Sequence, residues 1–228
     1  MASNQSPLSV VVPVGPAEEA WRELADRVAA ALPDAELVLS AAGPAPDRLC
    51  ARRLRWIRGE PGRAVQFNRG IQAASGRRLW LLHADSRPDP TAFDAASRFA
   101  ERLPDDAIGW FDLAFSPDGP VWARLNAAGA NLRSRYAGLP FGDQGWMMRR
   151  SVFESVGGFD AEFGRGEDLE FIVRATARGV RLLRIGARLQ TSARRYREQG
   201  WLNTTAAHGF NTLTMLRRAR ARLKETVR

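Results

Sequence analysis

The chain has 228 residues, enough to bury a full core without disulfide or metal staples, and 45% of them are hydrophobic, as in one ordinary globular domain. Its formal net charge is +9, from 34 Lys plus Arg against 25 Asp plus Glu, and nearly all the basic residues are arginine. That balance favours phosphate-bearing small molecules, acidic lipid surfaces or nucleic acid, and no nucleic-acid motif accompanies it, so nucleic acid is not expected as the main ligand.

The lone Cys50 excludes an internal disulfide framework and a cysteine-rich metal site. No run approaches the ~18 apolar residues of a membrane span, and the N-terminus lacks the basic stretch and cleavage site of a signal peptide. The expectation is a cytoplasmic protein.

Residues 9–14, SVVVPV, read as a buried strand closed by Pro13, and 17–32 carry a helical pattern. Strands are expected at 36–40 and 54–57, a helix at 64–74, and a strand at 78–83 that ends in polar residues. Strands alternating with helices predict an α/β fold with a parallel sheet whose ligand loops lie at the strand C-termini. The second half is less regular, with strands at 108–115 and 144–148 and helices at 121–137 and 151–156. It is expected to cover the open side of the sheet and to receive a second substrate. A helix opening at Glu167, a strand at 180–189 and a helix over 202–228 complete the chain. The last helix ends in Arg217, Arg218, Arg220, Arg222, Lys224 and Arg228, which suit either a solvated face or contact with a membrane or another anionic partner.

Chemistry-bearing residues fall at the predicted strand and helix ends. Glu167 and Asp168 follow two glycines at a helix N-terminus, where the dipole favours a charged carboxylate, suiting them to capping or to accepting a proton. His83-Ala84-Asp85-Ser86 follows the fourth strand, so Asp85 is a candidate ligand for Mg²⁺ or Mn²⁺, or alternatively a cap for the helix near Asp89. Arg63, Gln66, Asn68 and Arg69 stand at the head of a helix, placed to meet a phosphate or base. Arg194 and Arg195 follow the last strand and can neutralise a diphosphate leaving group, or form a surface pair.

The order of GRAVQFN, HAD at a strand end, GDQG, GGFD followed by GED, and TSARR resembles the family 2 glycosyltransferases of GT-A fold from Ser9 to about Trp201. It looks closest to the radical-SAM/selenodomain-associated branch. The resemblance implies a single GT-A domain over 1–228, a Rossmann-like nucleotide-diphospho-sugar transferase fold. Its central sheet would be mostly parallel and flanked by helices, with a smaller acceptor-side sheet. The nucleotide-binding half would span about 8–100 and the acceptor half about 101–200, with the basic helix after them.

By the same resemblance the chain inverts the sugar it moves from a nucleoside-diphosphate sugar to an acceptor hydroxyl. Asp168 would be the base, with Glu167 beside it, and Asp85 would hold a divalent metal, with His83 in place of the first acid of the D-x-D motif. Arg63, Asn68, Arg194 and Arg195 would contact the donor, and Asp143 and Gln144 the acceptor. The chain departs from the pattern in three places. Pro13-Val14-Gly15-Pro16-Ala17-Glu18 replaces the usual Asn-Glu, leaving Glu18 as counterpart, and Ser40-Ala41-Ala42-Gly43 lacks the usual base-binding Asp residues. Thr191 or Ser192 falls near the late metal-ligating His, while His208 comes after it. A donor half so eroded leaves a second reading, a repurposed GT-A domain that binds a nucleotide or anionic partner without transfer.

Overall fold

The computed structural model describes residues 8–48, 53–118, 120, 122–192 and 201–226, with side chains from 212 to 224 in the last helix. Among them eight strands form one mixed sheet. They are β1 Leu8–Val14, β2 Glu36–Ala41, β3 Leu54–Arg58, β4 Arg78–Leu81, β5 Ser86–Arg87, β6 Ala107–Phe115, β7 Trp146–Arg149 and β8 Arg181–Thr191, in spatial order β3-β2-β1-β4-β7-β6-β8-β5. β3, β2, β1 and β4 pair in parallel, β7 lies antiparallel to both β4 and β6, and β8 is again parallel to β6. Six strands therefore point one way, and their carboxyl ends share one rim of the sheet. The expected acceptor-side strands are continuous with the main sheet rather than a separate one. Between Trp110 and Asp112 the β6–β8 register slips, with Gly186 at φ +84° on β8, so a bulge bends this end of the sheet.

Helices cover both faces, which explains why the central strands are apolar without interruption. Along β1, Val10, Val12 and Val14 face one core with Trp21, Leu24 and Val28 of α1 (Trp21–Ala31) and Phe93 and Ala96 of α3 (Pro90–Arg102). Val11 faces the other, with Phe67 and Ile71 of α2 (Arg63–Ala73), Val152 and Phe153 of α5 (Arg150–Val156) and Phe171 and Ile172 of α6 (Glu167–Ala177). α2 approaches the sheet closely at Gly70, where a Cβ would sit 2.7 Å from Val11 Cγ1. α4 (Ala123–Ala137) lies on β6, and α7 (Trp201–Thr226) lies on α6. No helix of the described residues is long and apolar enough to cross a membrane.

Two local departures from the sequence pattern have physical causes. The helix expected from residue 17 begins at Trp21, because Ala17 takes φ +57° in the loop and the Glu18 carboxylate accepts the Ala20 N–H at 2.9 Å, just before the first turn. Two-residue β5 was not foreseen, since its pairing of Ser86 with Thr191 comes entirely from the far end of the chain.

Candidate functional site

Four segments meet at the carboxyl rim. β3 delivers the start of α2 with Arg63, β4 delivers the turn with His83 and Asp85, a 3-10 turn at Gly142–Gln144 precedes the antiparallel β7, and α6 begins there with Glu167 and Asp168. A crevice between them is floored by Phe67, Leu81, Trp146 and Phe159 and walled by Arg63, His83, Gly142, Glu167 and Asp168. The aromatic floor is rigid, with Phe159 stacked on Phe67 at 5.3 Å and packed on Phe171 at 4.8 Å between ring centroids.

Each oxygen of Asp168 has a defined donor. Oδ1 accepts the N–H of Leu169 at 2.8 Å, and Oδ2 accepts the N–H of Gly142 at 3.0 Å from the opposite wall. A Cβ on Gly142 would lie 3.0 Å from His83 Nε2 and 3.5 Å from Asp168 Oδ2, so a glycine here lets the turn touch both groups. The residue opening α6 is Gly166, in the left-handed region at φ +95° and with no side chain to cap the helix, so Asp168 and Glu167 share that task, accepting the first-turn N–H of Leu169 and the N–H of Gly166. A Cβ on Gly166 would fall 2.4 Å from Met215 Sδ of α7. From α7, Arg218 also stacks 4.7 Å from the Phe163 ring and donates to its carbonyl, and Arg222 pairs with Asp160, so α7 braces the loop that leads to Asp168.

Glu167 is buried, and its Oε1 accepts a hydrogen bond from Arg63 Nε while Oε2 accepts the Gly166 N–H. Burial opposes the charge on Arg63, but the Glu167 bond and the charges of Asp168, Glu167 and Asp143 outweigh it and hold the guanidinium above its ordinary pKa. Asp143 shows the opposite balance. Burial raises its carboxyl, Arg133 and Arg63 pull it down, Asp168 and Asp85 push it up, and the result is a pKa of about 6. Its Oδ1 is buried and has no hydrogen-bond partner. The site therefore gathers the carboxylates Asp85, Asp143 and Asp168 with Arg63 and Arg133, and it is burial rather than a lack of positive charge that raises Asp143.

Several residues singled out by the sequence serve the frame instead. The amide of Asn68 is consumed by the backbone of Phe159, giving to its carbonyl at 2.8 Å and accepting its N–H at 2.9 Å. Gln66 donates to Val14 O at 2.7 Å and Ser40 O at 2.8 Å, tying the ends of β1 and β2 together. Gln144 is fully buried, accepting from Ser134 Oγ at 2.6 Å and from Phe141 N at 3.1 Å and donating to Phe111 O at 3.2 Å, so it builds the turn from which Asp143 projects. Pro13 is buried within β1, and Glu18 is turned toward the start of α1. At the acid-free end of β2, Arg69 donates to Ala41 O at 3.2 Å and Glu60 O at 3.1 Å.

The cap of α3 is Asp89, which accepts the Ala92 N–H at 2.8 Å, so Asp85 is not needed for that task. Pairing of Ser86 with Thr191 brings the end of β8 beside the Asp85 turn, and Ser192 Oγ donates to Asp118 Oδ2 at 2.7 Å. Arg194, Arg195 and the side chain of His208 lie outside the described residues. Arg133 was not singled out from the sequence. It stacks 3.6 Å from the Phe141 ring and adds charge beside Asp143, a role that no spacing in the chain announces.

Comparison with known proteins gives a family and a fold. The sequence profile described as Glycosyl transferase family 2 matches residues 36–157. Among solved structures, S. aureus TarS 1-349 superposes with a TM-score of 0.62 at 16% identity, over 81% of this chain and 60% of that one. The same protein in complex with UDP gives 0.56 at 15%, over 82% and 60%. The mannosyltransferase PcManGT from Pyrobaculum calidifontis, in complex with GDP-Man and Mn²⁺, gives 0.60 at 17%, over 82% and 56%. The chain thus spans well under two thirds of the length of these structures. A search of curated proteins found no match.

Proposed function

Because the chain belongs to glycosyl transferase family 2, we propose that it moves a sugar from a nucleoside-diphosphate sugar to an acceptor hydroxyl with inversion, using Asp168 as general base. The observation that carries this is the fixed carboxylate of Asp168, held by N–H groups of Leu169 and Gly142 at the rim of an aromatic-floored crevice. As the acceptor oxygen bonds to the anomeric carbon, the carbon–oxygen bond to the diphosphate breaks and the acceptor proton passes to Asp168. General-base assistance of this kind contributes ~10²–10⁴-fold. Arg63, anchored by Glu167, keeps a positive charge at the mouth of the crevice for the donor's phosphates.

The donor set suits a hard divalent cation. Asp85 and Asp143 supply carboxylate oxygens, one of them buried without a donor facing it, and such oxygens are what Mg²⁺ or Mn²⁺ takes. No group of three His, Cys, Asp or Glu among the described residues forms a ready cluster, so Asp85, with His83 next to it, would share the ion with diphosphate oxygens and water. When bound, the ion neutralises charge developing on the leaving diphosphate. PcManGT binds GDP-Man and Mn²⁺, and TarS binds UDP, so both nucleotides belong in the first screen. Placement in the radical-SAM/selenodomain-associated branch rests on the motif order alone. A cytoplasmic setting, with the arginines of α7 toward an anionic surface, is consistent with exposed Arg217 and Arg220, though Arg218 and Arg222 are used inward.

A second reading is favoured by one observation, the arginine and absent acids at the end of β2, where Arg69 caps Ala41. In it the domain binds a nucleotide or anionic partner without transfer. Titration calorimetry with UDP, GDP and their sugars, with and without Mn²⁺, followed by assays of donor hydrolysis, separates the two. Metal-dependent binding lost in Asp85→Ala, with turnover lost in Asp168→Asn, supports the transferase. Tight nucleotide binding without turnover over a panel of donors and acceptors supports the second reading.

A further inference from the structure

Helix α4 is built inside out. Its sheet-facing side is small or polar, with Ala123, Ala127 and Ser134 buried, and Asn131 clamps β6 by accepting the Leu113 N–H at 2.7 Å and donating to its carbonyl at 3.0 Å. Its large apolar residues point outward. Trp122, at the N-cap, is 61% exposed, Leu125 56%, Leu132 53% and Tyr136 84%, where a surface helix normally turns such residues to the core. The positions 122, 125, 132 and 136 fall on one stripe along the helix, with Ala128 and Gly129 between them. Four exposed large apolar side chains aligned on one stripe differ from singly scattered surface hydrophobics.

We propose that this outer face of α4 docks on an anionic lipid bilayer, with the helix lying flat in the headgroup region. Charge complementarity selects that occupant. α4 carries no acidic residue, and on a chain of net charge +9 its Arg124 is exposed beside the stripe, while Arg133 and Arg135 are turned to Phe141 and Asp112. Tryptophan and tyrosine at the two ends, leucines between them and an arginine alongside are the residues that settle at a headgroup boundary. A second copy of this chain is a poorer fit, because each copy carries a net charge of +9 and no acidic residue on α4 to meet the other's Arg124. The docked face is tied to the crevice through Ser134, whose hydroxyl bonds Gln144 in the turn that presents Gly142 and Asp143. Docking there holds the crevice at a fixed attitude to the membrane surface.

Co-sedimentation of the full chain with vesicles of phosphatidylglycerol and phosphatidylcholine, and with pure phosphatidylcholine, tests this. Expected are binding to the anionic vesicles that weakens between 0.1 and 0.5 M salt, weak binding to the neutral ones, and a loss of about tenfold per position in Leu125→Ser and Leu132→Ser. Thermal melts check that these exposed substitutions leave the fold intact, and Tyr136→Ser provides an independent third position. In Arg217→Ser/Arg220→Ser, on α7, binding falls by less than in either leucine variant. The proposal is overturned if the wild-type chain ignores anionic vesicles, if the leucine variants bind as well as wild type, or if only the α7 variant loses binding. It is equally overturned if light scattering shows a dimer that Leu125→Ser dissociates while vesicles are not bound, since a second copy then covers the face.

Discussion

Replacing Asp143 with asparagine should stabilise the protein, although it removes a residue of the site. The carboxyl is raised from 3.8 to about 6, chiefly by burial and with Asp168 and Asp85 adding to it. At ~1.4 kcal/mol per unit, about two units set a ceiling near 3 kcal/mol on the cost of ionising it in the folded state. Solvent at the open rim and the amide that asparagine must itself bury reduce the gain to about 1–2 kcal/mol. For a chain of this size that is a rise of ~3–6 °C in Tm. The sign follows from proton binding. Between about pH 4 and 6 the folded protein keeps a proton that the unfolded chain has lost, so wild-type stability falls as pH rises through this window. Melts in EDTA should therefore show variant and wild type together at pH 4, separating to pH 6, and a constant gap above pH 7. Equal Tm values at pH 7, or a gap that narrows as pH rises, would refute the electrostatic account of the site.

Four further outcomes are expected. Asp168→Asn should lower transfer by at least ~10²-fold with nucleotide affinity unchanged, read by steady-state kinetics beside calorimetry. Arg63→Met leaves Glu167 buried and unpaired and should cost ~2–3 kcal/mol in urea unfolding, with partial recovery in Arg63→Met/Glu167→Gln; additive effects would mean the pair does not couple. Asn68→Ala strands the N–H and carbonyl of Phe159 and should cost ~2–3 kcal/mol, seen as a lower urea midpoint with unchanged slope. Gly166→Ala meets both its positive φ and Met215, so it should lose ~2–3 kcal/mol, of which Met215→Ala returns only the steric part.

Element order was legible in the chain because the core is doubly covered. Short continuous apolar runs such as SVVVPV and RLWLL suit buried strands, and the stripe Leu169, Phe171, Ile172 and Ala175 lies wholly in the core. The fold class followed, and the sheet that the structure shows is the mixed, largely parallel one of the matched transferases. The polar residues were harder. Gln66, Asn68 and Gln144 look like ligand contacts at the heads of elements, yet each spends its amide within the protein, on a backbone 91 residues away in the case of Asn68. A side-chain amide satisfies a distant carbonyl as well as it does a ligand, and nothing in local sequence distinguishes the two. The carboxylates were more telling than the amides. Asp85, Asp143, Glu167 and Asp168 do converge at one rim.

Helix α2 constrains how this protein can change over time. From one side it sets the spacing of β1 and β2 through Gln66, and from the other it holds Phe159 through Asn68 and Glu167 through Arg63. Arg150 closes the same seam, donating to Ile71 O at 2.7 Å and Ala74 O at 2.6 Å. On the proposed function, the wall that borders the donor thus also supports the base. A substitution that reshapes one pocket from this helix shifts the other, so new donor and acceptor preferences would have to be acquired together, or from loops that leave α2 alone.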